Sequence, residues 1–412
     1  MTDKTEVKET FWYEGGQLKS IENSKNGVPH GQRRRWDENG QLTNEEHLVE
    51  GKLHGTQTTW YSNGQIESEE DYKNDIRHGV QTNWYENGQL KSIGSCKDGI
   101  QDGKLTQWYE NGNQKVIQHK KNGKSHGYFM LWYENGNPKS EENWIDGKGE
   151  GERTAWYENG NIQEKQNYKD GVLHGKVSTF HEDGYLSHER NYVSGIQEGT
   201  VTVYYKNGQK ATEAVFVKNN KKQGKCTDWF ENGQIKSLEN YKDDKRDGKN
   251  NYWFENGQQY VVGNYKQGKQ HGSQTGWYES GQLKFEEKYK DALADGKQMH
   301  WYENGKLKYE FYCKDGMQNG PGSSWYENGQ QEKEMNYIDN KLEGIFTSWY
   351  ESGQMKFKLI CKNGLHKGEC THWYENGQLE RVENLIDDKR DGMQTYWHEN
   401  GEIKFKGTLK DE

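Results

Sequence analysis

Proline is almost missing from this chain, with 3 residues in 412. Apolar residues are also scarce, at 29% against an ordinary share of about 45–50%. That stock cannot fill a thick globular core. No apolar run is long enough to cross a bilayer, and the opening MTDKTEVKET lacks the apolar segment of an export signal. Positive charge does not dominate either: the net charge is −9 and the pI about 5.9. This excludes the basic face with which nucleic-acid binders neutralise phosphate, and it argues against anionic lipid. The single basic run, Arg33-Arg34-Arg35, reads as a solvated strand or loop. The cysteines are five, an odd number, placed as Cys96, Cys226, Cys313, Cys361 and Cys370 with no close pair. Reduced thiols and no export signal predict a cytoplasmic protein.

What the chain does have is aromatic residues and glycine: 16 Trp, 27 Tyr and 50 Gly. A mean hydropathy of −1.36 would fit disorder, but this aromatic content does not. A thin fold that buries aromatics and leaves much polar surface fits both. The word WYENG, first at Trp84, returns at Trp108, Trp132, Trp156, Trp301, Trp325 and Trp373. Counting the aromatic of that word as position 0 gives seventeen anchors from Trp12 to Trp397, with a step of 24 residues everywhere except between Tyr204 and Trp229. The extra residue there falls near Asn219–Lys222, in a polar turn where insertion costs little. Position +4 is glycine in every copy and +19 in every complete copy. Position +15 is glycine or a residue tolerant of left-handed backbone, except at Ala292, where a different turn is expected.

The copy holding Trp84, Tyr85, Asn87, Gly88 and Leu90 reads as two strands joined at Asn-Gly, the strongest short hairpin signal, here expected as a type I′ turn. A second, glycine-containing turn such as Asp98-Gly99 leads to the next copy at Gly103 and Trp108, with its own turn glycine at Gly112. Gly305 after Trp301 and Gly377 after Trp373 repeat the pattern. The register predicted from the turn sets Tyr85 opposite Leu90, Tyr374 opposite Leu379, Tyr241 against Gly224 and Tyr289 against Gly272. The tryptophans then share the other face with the lysine at +7. The fold class is all-β: a single elongated, twisted antiparallel meander of tandem hairpins, about 17 copies across residues 11–409, with a short arm at 1–10 and a polar tail at 410–412. End strands of such a sheet present open edges that permit end-to-end self-association.

These residues resemble the MORN repeat, more closely its bacterial variant in proteins often labelled antitoxin-like. The resemblance spans about Phe11 to Leu409 and implies tandem β-hairpins that serve as scaffolds and interaction surfaces. Choline-binding and YD-type shell repeats share parts of the pattern but not its spacing or setting. The resemblance also implies a protein partner, in its narrower form a toxin neutralised by sheathing.

No catalytic constellation emerges. Histidines at +18, namely His30, His54, His78, His126, His174 and His271, recur about 10 Å apart, too far to share a metal ion. The acidic pairs Glu69-Glu70, Glu141-Glu142 and Glu286-Glu287 read as solvated strand carboxylates, one to each face. The cysteines read as small buried residues. No phosphate loop, dinucleotide fingerprint or nucleophile elbow is present. The expectation is therefore a non-enzymatic protein-binding scaffold without cofactor or metal. The alternative is an aromatic repeat protein that binds carbohydrate or lipid.

Overall fold

A computed structural model describes residues 6–217 and 220–409, which contain 41 strands and no helix. Two compact units divide the chain: Met1–Gly199 with Lys206–Gly208, and Thr200–Tyr205 with Gln209–Glu412. Within each unit, strands adjacent in sequence pair antiparallel, and contacts run between such neighbours. Glu6–Trp12 is a strand paired to Leu18–Lys25, so part of the expected N-terminal arm joins the first hairpin. Residues 1–5, Asn219 and the tail 410–412 lie outside the described residues.

The repeat centred on Trp84 shows the local logic. Ile76–Trp84 runs against Leu90–Lys97, with Asn83 opposite Ser92 and Gly79 opposite Cys96. The expected register holds through such strands: Gly224 is opposite Tyr241, and Gly272 opposite Tyr289. It fails at the Asn-Gly turn. Trp84, not Tyr85, is opposite Leu90, and Trp373, not Tyr374, is opposite Leu379. The Gly88 N–H donates to the Tyr85 carbonyl at 2.8 Å, and the Tyr85 N–H to the Gln89 carbonyl at 2.8 Å. Gly88 is left-handed, with φ of 83°, while Asn87 is not. This is a type I turn closed by a left-handed glycine, not a type I′ turn. The Asn87 side chain stabilises this form, its Oδ1 accepting the Gln89 N–H at 2.9 Å. The bulge that results carries Lys91 over the Tyr85 ring, at 5.5 Å, rather than to the tryptophan face.

The type I′ turn is at the other end of the hairpin. Lys97 pairs with Ile100, and between them Asp98 and Gly99 have φ of 49° and 80°. Ala292 is no exception: Lys290 pairs with Leu293 around Asp291 and Ala292, at φ of 51° and 73°. Strand pairing on both sides fixes the two-residue loop, and alanine carries the strain. Other residues at this position contribute a bond as well. Asp75, Asp244, Asn340 and Asp388 accept the backbone N–H groups of Leu53, Lys222, Gln318 and His366 in the preceding repeat. The +19 glycine serves a third irregularity. Gly103, at φ of 103°, sits where the register shifts between the Cys96–Gln101 and Ile93–Thr106 pairs.

Burial differs from expectation. The aromatics at position 0 are half-buried, and Trp12 is 60% exposed. With no second sheet or helix among the described residues, long side chains are covered by their neighbours in the same layer. Short and polar ones disappear instead, among them Thr106, Ser140, Asn250 and Gln394. The buried glutamines are satisfied on the donor side: Nε2 of Gln81, Gln274 and Gln394 donates to the carbonyls of Asp71, Asn264 and Asn384, each at a register shift, while Oε1 of Gln81 and of Gln394 is buried without a partner. An apolar cluster forms around Leu359, Cys361, Cys370 and Leu385.

Ala292→Gly relieves the left-handed strain and should stabilise the protein by about 1 kcal/mol. Ala292→Asp should do at least as well, by offering the Gln270 N–H the acceptor that Asp75 gives Leu53. Urea titration of both variants is the check. No gain in either would mean that the turn is not strained.

Candidate interaction face

The expected structural residues do not converge on one site. They form rows. Along one edge, the tyrosine at +1 donates its hydroxyl to the carbonyl at position 0 of the next repeat: Tyr61 to Trp84, Tyr85 to Trp108, Tyr278 to Trp301 and Tyr350 to Trp373, at 2.8–3.0 Å. All twelve tyrosines at this position do so. Asn111 and Asn304 extend the row, donating to the Glu134 and Glu327 carbonyls at 2.8 and 3.0 Å. Gly88, Gly112, Gly305 and Gly377 close their turns at φ of 83–88°.

The +18 column is a second staple, on the opposite turns. His78 and His126 place Nδ1 at 3.2 and 3.1 Å from Asp98 and Asp146 of the following repeat. Where the residue is acidic, Asp102 and Glu150 accept the backbone N–H of Asn122 and Asp170 at 3.0 and 2.8 Å. Among the described residues, no group of His, Cys, Asp or Glu is placed to hold a metal ion.

The face that carries positions −3, −1, +8 and +10 holds what sequence reasoning missed. Carboxylates at +10 are not solvated. Glu70 accepts the Tyr72 hydroxyl at 2.7 Å and pairs with Arg77 at 2.8 Å. Glu239, 6% exposed, accepts the hydroxyls of Tyr241 and Tyr252 at 2.6 Å each and pairs with Arg246 at 2.6 Å. Burial pushes its carboxyl up, but these three donors outweigh it and hold it below the usual range. Burial and the same carboxylate drive Tyr241 up to about 12 and raise Tyr252 as well. A signal was available: Glu at +10 with Arg at +17 recurs in Glu70/Arg77, Glu239/Arg246 and Glu383/Arg390. Arg33 and Arg34 are also paired, to Glu46 and Glu45, and Arg35 is exposed on the same strand.

Cys370 Sγ lies 3.2 Å from His372 Nε2. Burial drives the thiol up to about 11, and burial with Arg381 drives the imidazole down to about 4. At neutral pH the pair is thiol and neutral imidazole, not the thiolate–imidazolium of a nucleophile.

In the second unit this face turns aromatic. Phe285, His300 and Tyr309 are cross-strand neighbours in one row, stacked with centroids 5.6 and 4.5 Å apart. Phe357 and His372, and Tyr396 and Phe405, continue that row further along.

Fourteen stretches match the family described as the MORN repeat variant: residues 5–26, 29–49, 53–74, 77–98, 125–146, 149–170, 197–219, 222–243, 270–291, 294–315, 318–339, 342–363, 367–387 and 390–411. The chain belongs to the MORN repeat family. The three MORN copies between those stretches, at Trp108, Phe180 and Trp253, make the same turn: the N–H groups of Tyr109, His181 and Phe254 donate to the carbonyls of Asn113, Tyr185 and Gln258. No curated protein matches this MORN array. Among solved structures, TcdB2-TccC3-TEV is 11% identical with a TM-score of 0.16, over 95% of this chain and 24% of that one. The Photorhabdus luminescens Tc holotoxin pore is 10% identical with a TM-score of 0.15, over 94% and 26%. The chain spans about a quarter of those chains, and likeness at such scores bears on neither fold nor function.

The Glu239 clasp sets a pH dependence. Its lowered carboxyl contributes stability above the ordinary carboxylate range, lost as pH falls through the folded value. Its raised tyrosines contribute fully below pH 10 and lose that contribution as pH rises toward 12. Urea midpoints should be flat near neutrality and fall above about pH 10, and Tyr252→Phe should shrink the alkaline fall. An alkaline limb unchanged in that variant would show that the clasp is not coupled to folding.

Proposed function

We propose that this MORN array is a non-enzymatic cytoplasmic scaffold that binds a protein partner across the face carrying positions −1 and +8. One observation carries the reading. The residues that repeat are consumed by turns and inter-repeat bonds, whereas the −1/+8 row changes character along the chain. It is polar and aliphatic at Asn83, Ser92, Gln107 and Val116, and carries rings at Phe285, His300, Tyr309, Phe357, His372, Tyr396 and Phe405. A row whose residues vary on a regular frame suits recognition of a partner, and aromatic residues are enriched where partners bind. The Cys370–His372 pair, inert in protonation, supports a binding role over a catalytic one. All five cysteines are free thiols, in keeping with a reducing compartment. No helix among the described residues is long and apolar enough to cross a membrane. An antitoxin role is the narrower form of the same reading and depends on who the partner is.

Affinity capture from the native host lysate, at physiological and at high salt, tests this. One stoichiometric protein that survives high salt is the expected result, and its identity decides the antitoxin form. Recovery of the bait alone would sink the scaffold reading.

A further inference from the structure

The aromatic row of the second unit has a gap. In cross-strand order it runs Phe285, His300, Tyr309, then Ser324, Lys333 and Ser348, then Phe357, His372, Arg381, Tyr396 and Phe405. Three small or flexible residues interrupt rings on both sides. The parallel row beside it thins at the same place, where Gly322 is opposite Phe311 on one strand and Met335 on the other. The two gaps merge into an open groove of about 420 Å³, with Tyr309 and Phe311 on one flank and Phe346 on the other. Tyr309 and Phe311 are themselves stacked, with centroids 5.6 Å apart and planes at 23°.

The backbone does not require glycine at 322. Its φ lies outside the left-handed region, and a Cβ there would meet Phe311 Cβ at 3.4 Å and Met335 Cγ at 3.6 Å, ordinary contacts. Other strand glycines are filled by neighbours: a Cβ at Gly263 would strike Gln274 at 1.9 Å, and one at Gly276 would strike Phe285 at 2.2 Å. Gly322 differs because a Cβ there would fit without a clash.

We propose that this groove seats an aromatic side chain of the protein partner, which completes the interrupted stack. This rests on the scaffold reading and names where the partner's anchor binds. Aromatic rings and a thioether line the groove, and both favour a planar ring. A sugar would need free acceptors at the rim. Both carboxylates there are already engaged, Glu332 by Ser324 at 3.0 Å and Lys333 at 2.9 Å, and Glu310 by Lys297 at 2.7 Å. An aliphatic anchor would fill the volume but forgo stacking. Large aromatic anchors in such pockets carry much of the energy of protein interfaces.

Saturation-transfer NMR on the full chain, with N-acetyltryptophanamide, N-acetylleucinamide and cellotriose as probes, tests the proposal. The tryptophan probe should be saturated most strongly, and Ser324→His or Gly322→Leu should reduce its signal by about tenfold. Ser324→His places at this position the residue that its row-mates His300 and His372 already carry, so the fold is expected to tolerate it. Preference for leucinamide or cellotriose, or an unchanged tryptophan signal in both variants, overturns the proposal. Affinity capture with Ser324→His keeps the two readings apart. Partner retained at full yield removes the groove but leaves the scaffold, whereas partner lost supports the groove.

Discussion

The structure depends on a hydrogen bond from each repeat to the backbone of the next. Among the described residues of each unit there is no helix or second sheet, so little apolar burial holds neighbouring hairpins in place. The strand ladder does part of that work, and the tyrosine hydroxyl at +1, the asparagine amide at +3 and the +18 side chain do the rest at the two ends of each strand. A typical bond of this kind is worth about 1 kcal/mol net, so the effect lies in its repetition. The tyrosine at +1 and the asparagine at +3 each donate to a main-chain carbonyl, and any residue supplies one. Tyr157 binds the Phe180 carbonyl at 2.9 Å just as Tyr133 binds that of Trp156 at 2.9 Å. The staple therefore survives substitution on the receiving side and fails only on the giving side, as at Phe230 and Phe254, which have no hydroxyl.

Much of this was legible in the sequence. The 24-residue period, the glycine columns and the strand register opposite Gly224 and Gly272 follow from spacing alone. The type I′ turn was placed at the wrong end because Asn-Gly is its usual signature. What the dipeptide did not reveal is that Asn87 spends its side chain on Gln89 and leaves only Gly88 left-handed. Ala292 misled for the opposite reason: its own preference is weaker than the pairing of the strands around it. The burial of these carboxylates is not legible in one copy because it depends on side chains from the adjacent paired strand, as with Arg246 and Tyr252 over Glu239. The donors that hold a glutamate at +10 differ from copy to copy: Tyr241, Tyr252 and Arg246 for Glu239, Tyr72 and Arg77 for Glu70, and Arg33 for Glu46. The groove at Gly322 could not be read at all, since it is a relation among residues on four strands.

Division of labour follows from this arrangement. Turns and staples fix the positions near each end of a hairpin, and the −1, +8, −3 and +10 positions in mid-strand are bound only by the need to pack sideways. Packing sideways is a nearest-neighbour condition, so one repeat can change its mid-strand residues without disturbing a repeat two copies away. The same frame accommodates Glu239 clasped by two tyrosines and an arginine, a stack of Phe285, His300 and Tyr309, and a gap at Gly322 and Ser324. An array built this way can vary the chemistry of its face strand by strand while its edges stay constant. That explains why a word as rigid as WYENG coexists with mid-strand positions as varied as Gln107, Ala155, Tyr252 and His300.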